Sequence, residues 1–68
     1  MKKKLLNAAL LHFQAEKAKT EANLEVYLRN SAGVAEHPGI VAEVISLTKA
    51  LAEAEECVKI LENYKEKK

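Results

Sequence analysis

In the second half of the chain seven apolar residues, Ile40, Val44, Leu47, Leu51, Ala54, Val58 and Leu61, follow one another at steps of four and three without a miss. On an α-helix that alternation keeps every member on one stripe, and a stripe this regular is built to lie against another helix. Nothing elsewhere in the 68 residues has the spacing of a catalytic or cofactor-binding motif. The sequence therefore constrains architecture far more than chemistry.

A chain of 68 residues allows one small domain, and domains of this size bury only about 60% of the surface their unfolded chains expose. Small scaffolds make up the deficit with disulfides, a metal or a partner chain. Here Cys57 is the single cysteine, and His12 and His37 stand far apart, so no cofactor is expected and oligomerisation is the remaining device. One thiol with no intrachain partner, and no Asn-x-Ser/Thr sequon, fit a reducing compartment; cytoplasm is the expected location.

The opening Lys2-Lys3-Lys4 followed by Leu5 to Leu11 has the outline of a signal peptide. Asn7 and His12 interrupt its apolar run, however, and the small-residue cleavage pattern is missing. No window approaches the roughly 18–20 apolar residues that a bilayer requires, so a soluble protein with no membrane partner is expected.

One segment punctuates the chain, Ala32 to Gly39, which holds the single proline and both glycines. Gly33 suits the residue just past a helix end, with Val34 making the accompanying hydrophobic contact. Pro38 suits the first turn of the next helix, where its missing N–H is no loss. The reading is an all-α, single-domain chain over residues 1–68: helix 1 over about 3–32, a loop over about 33–37 and helix 2 over about 38–66. So short a loop forces an antiparallel two-helix hairpin.

Ala8, Leu11, Ala15, Ala18, Ala22 and Val26 supply a matching stripe on helix 1. Folding about the loop would set Leu11 near Leu61, Ala18 near Ala54, Ala22 near Ala50 and Leu51, and Val26 near Val44. Small would face small at the centre, so replacing Ala18 with Leu is expected to overpack the seam at a cost of about 1–3 kcal/mol.

Other apolar residues fall outside that seam. Leu6, Leu10 and Phe13 share a face near the open end, with Ile60 and Tyr64 beside them; Leu24, Tyr27 and Leu28 continue it at the loop end, joined by Val41 and Ile45. Lys17, Thr20, Glu21, Lys49, Glu53 and Glu56 form a polar waist between. Two exposed apolar patches mark an interaction surface, and an antiparallel homodimer would stack them into a four-helix bundle. The expected interface residues are Leu6, Leu10, Phe13, Leu24, Tyr27, Leu28, Val41 and Ile45.

Net charge is +1, which gives no general attraction to nucleic acid. Lys2, Lys3, Lys4, Lys65, Lys67 and Lys68 would nonetheless meet at the open end of a hairpin and could engage phosphates. No aromatic residues are interleaved with them to stack bases, and the stronger reading is of solvated terminal tails, those of helix 2 also suiting the negative end of its dipole. His12 has a single candidate co-ligand in Glu16, too few for zinc. His37 precedes Pro38 and suits a helix cap. Cys57 has no nearby histidine to make it a nucleophile, and Glu53, Glu55 and Glu56 lack the paired geometry of carboxylate catalysis. Two helices build no deep pocket, so no enzyme is expected.

The run Val26-Tyr27-Leu28-Arg29-Asn30, then Gly33, then Glu36-His37-Pro38-Gly39-Ile40-Val41, then Leu51-Ala52-Glu53-Ala54-Glu55 resembles small helical proteins of T-even-like tailed phages of marine bacteria. The resemblance spans the C-terminal two-thirds of the chain. It implies a phage accessory or virion-associated protein in the host cytoplasm, acting on its own copy, a phage protein or a host protein. It carries over no activity and no site residues.

Overall fold

The structure, a computed structural model, describes residues 2–29 and 39–66. Two helices make it up: α1, Lys2–Arg29, and α2, Ile40–Glu66. The expected loop over about 33–37, with Gly33, Val34, Glu36 and His37, lies outside the described residues, as do Pro38 at the expected start of helix 2, positions 30–32 of helix 1, and Lys67 and Lys68.

Local chemistry accounts for both helices. α1 contains neither Gly nor Pro and is rich in Ala, Leu, Lys and Glu, the strongest helix formers. Arg29 closes it, favourably placed against the negative end of the dipole and ion-paired with Glu25 one turn back. α2 starts on Gly39, whose carbonyl accepts the N–H of Glu43 at 2.9 Å. That makes Gly39 the cap residue, and its φ of +90° is a conformation glycine adopts without steric cost. Glu43 in the first turn and Lys65 in the last suit the dipole of α2.

The helices run antiparallel in a rod of 51 × 14 × 13 Å. Lys2, Lys3, Leu6 and Asn7 share a groove with Tyr64, Lys65 and Glu66; further along, His12, Phe13 and Glu16 share one with Ala50, Glu53 and Ala54. On α2 the expected ladder is the packed stripe. Ala54 is 4% exposed, and Ile40, Val44, Leu47, Leu51, Val58 and Leu61 are half-buried.

On α1 the packed stripe differs from the expected one. Ala8, Leu11, Ala15, Ala18, Ala22 and Val26 are all exposed. The seam is instead Leu6, Leu10, Phe13, Lys17, Thr20, Leu24 and Tyr27, again at steps of four and three, with Leu10 and Thr20 buried and the rest half-buried. Side-chain size decides between the two stripes, because burying Leu, Phe and Tyr removes far more apolar area from water than burying alanines. The supposed polar waist does not interrupt this seam. Lys17, half-buried, lines a groove with Ala52, Val58, Glu55 and Glu56, where its aliphatic stem can cover apolar surface while the ammonium stays in water, and no buried side-chain polar atom among the described residues is left unpartnered.

Candidate interaction surface

The seam redistributes the residues expected to form a dimer face. Leu6, Leu10, Phe13, Leu24 and Tyr27 are committed to the hairpin itself, so they do not form an outer patch; five apolar side chains on one face of α1 serve the nearest apolar stripe, which is α2. Leu28, Val41 and Ile45 do stand free at the loop end, at 61%, 71% and 51% exposure.

Other large apolar side chains are equally uncovered. Ile60 and Tyr64 are exposed toward the open end of α2, and Leu5, Leu11 and Val26 on α1. Leu5 has no place in the expected patches, although it extends the outer stripe of Leu11 and Val26 by one further turn and could have been found that way. With Ala8, Ala15, Ala18 and Ala22 these three make a continuous apolar track along the outer side of α1. Each of Ala8, Ala15 and Ala22 lies two residues, about 200° of rotation, from a seam position, so the track runs nearly opposite α2. α1 is thus apolar on two sides and covered on one.

The chemically suggestive residues gather into no reactive arrangement. His12 is exposed, its ring edge-on to Phe13 at 4.8 Å and 84°. Cys57 is a half-buried free thiol. Among the described residues no three His, Cys, Asp or Glu side chains come together to hold a metal ion. No helix there is long and apolar enough to cross a membrane. Of the lysine cluster, Lys2, Lys3 and Lys65 line one groove at the open end, shared with the carboxylate of Glu66. Thr48 turns its hydroxyl inward to its own helix, donating to the Val44 carbonyl at 2.7 Å.

Comparison with protein-family models, curated proteins and solved structures yields no match to this chain.

Proposed function

We propose that this chain is a small structural or interaction protein that works through helix–helix association, and that its first partner is a second copy, the two hairpins forming a four-helix homodimer. The thinness of the seam carries this reading. Leu10, Thr20 and Ala54 are the buried residues among those described and no large side chain is fully buried, while eight large hydrophobic side chains remain 46–71% exposed. Ordering a backbone costs about 1–2 kcal/mol per residue, and a seam this narrow offsets little of it. Exposed apolar tracks of this size are where a partner chain supplies the missing burial.

Sedimentation equilibrium over a wide concentration range tests the reading, with a mass twice the protomer's expected. A folded monomer throughout would overturn self-association and leave the same side chains for a phage or host protein. The phage resemblance supports an accessory or virion-associated setting.

The shared groove of Lys2, Lys3 and Lys65 supports a second reading, nucleic-acid binding at the open end. It requires affinity that falls steeply with salt and is lost when Lys2, Lys3, Lys4 and Lys65 are replaced by Gln. Salt-independent or absent binding would remove it.

A further inference from the structure

We infer that the outer track of α1 is the self-association surface, and that it meets the same track of a second copy in antiparallel orientation; this rests on the reading that the hairpin self-associates. The area exposed leaves room for such a partner. A compact monomer of 7.5 kDa exposes about 4,200 Å² on the size scaling of folded proteins, whereas this chain exposes 5512 Å². The surplus, roughly 1,300 Å², belongs to both helices of the elongated rod and leaves room for the about 800 Å² per partner of a standard interface. Large side chains, not the alanines alone, define the track: Leu5 and Leu11 are each 65% exposed and Val26 54%.

Charge then chooses the orientation. Read along α1 at steps of four and three, this side of the helix runs Lys4, Ala8, Leu11, Ala15, Ala18, Ala22, Glu25, Arg29, with a lone cation at one end and the ion-paired Glu25 and Arg29 at the other. A parallel pair would set Lys4 against Lys4 and Glu25 against Glu25. Reversing one copy about a two-fold axis at Ala15 brings Lys4 within one residue, about 1.5 Å of rise, of the level of Glu25 of the second copy, twice. The same register sets Ala8 against Ala22 of the second copy and Leu11 against Ala18 of the second copy, so each larger side chain meets a small one. On the flank Leu5 meets Val26 of the second copy, which brings all three exposed large hydrophobics of the track into the interface. Glu25 is already held by Arg29, which extends each end contact into a three-charge group. Because the track lies nearly opposite the seam, the two α1 helices form the centre of the dimer and the α2 helices its outer sides.

Cysteine cross-linking in a Cys57→Ser background tests the register, with sedimentation and circular dichroism run on each variant. Residues on the two-fold axis come within disulfide reach of their own copy, so Ala15→Cys is expected to cross-link to itself under mild oxidation. Ala8→Cys alone does not, but Ala8→Cys mixed with Ala22→Cys does. Lys4→Glu places like charges at both ends and weakens the dimer about tenfold, taking each exposed pair at the upper part of its usual range; the double variant Lys4→Glu, Glu25→Lys restores it. Ala8→Cys linking to itself would overturn the antiparallel register. A dimer in which Ala15→Cys fails to link, or in which Lys4→Glu changes nothing, would overturn the surface while leaving self-association standing. A wild-type monomer would overturn both.

Discussion

Leu10 and Leu11 are neighbours in sequence and opposites in environment: Leu10 is 6% exposed in the hairpin seam, Leu11 65% exposed on the outer side of α1. Truncating the first removes core contacts and leaves a cavity. Leu→Ala changes of that kind cost about 2–5 kcal/mol, and a seam between two helices collapses readily enough to place this one near 2. Leu11→Ala shortens a side chain that is mostly exposed in the hairpin and costs less. Urea unfolding followed by circular dichroism, at protein concentrations where sedimentation shows monomer, ranks the two free of any dimer contact, and an equal or larger loss for Leu11→Ala there would show that α1 packs by its other face.

Ala54 is 4% exposed and shares a groove with Phe13 and Glu16 of α1. A larger side chain there has to push the helices apart. Ala54→Leu is expected to destabilise the hairpin by about 1–3 kcal/mol, lowering the melting temperature on the order of 10 °C for a domain of this size. An unchanged melting temperature would mean that the α2 ladder does not face α1.

The two helices differ in how much their sequence disclosed. α2 carries one unbroken apolar ladder, so its packed face follows from periodicity alone, and Ile40 through Leu61 lie where that ladder puts them. α1 carries two ladders of the same period. Periodicity cannot rank them, and the alanine-rich one looks the cleaner because Lys17 and Thr20 sit in the other. What ranks them is buried area: Leu6, Leu10, Phe13, Leu24 and Tyr27 outweigh four alanines with Leu11 and Val26, and Lys17 and Thr20 are amphipathic enough to fill the gap. The candidate interface shifted for the same reason, since residues assigned to the seam and to the outer face changed places. The punctuating segment announced a helix start, but only backbone geometry shows that Gly39 is the cap.

Gly39 holds φ at +90° with open space where a Cβ would stand. A substitution there therefore tests backbone strain alone. Gly39→Ala is expected to cost about 1–2 kcal/mol, the penalty of an L-residue in the left-handed region. Chemical synthesis with D-alanine at the same position reverses the sign, because that enantiomer favours positive φ and restricts the unfolded chain. Thermal melts of the three forms should rank D-Ala above Gly above L-Ala, and equal stability of the two alanine forms would show that residue 39 does not occupy positive φ.

Leu28, Val41 and Ile45 separate the two surfaces on which hairpins could meet. They stand at the loop end, while the α1 track has its centre at Ala15, about 20 Å from Leu28 at 1.5 Å per residue. Leu28 lies two residues, about 200° of rotation, from Val26 and so points away from the track, and Val41 and Ile45 belong to α2, so antiparallel pairing of the α1 tracks about Ala15 leaves all three side chains outside the contact. The triple variant Leu28→Gln, Val41→Thr, Ile45→Gln is therefore expected to retain the helical signal and the wild-type dimer constant, with stability changed by no more than about 1 kcal/mol, as for exposed positions. Sedimentation equilibrium beside Lys4→Glu makes the comparison. If the triple variant dissociates and Lys4→Glu does not, self-association runs through the loop end, and the charge order along α1 plays no part in choosing its partner.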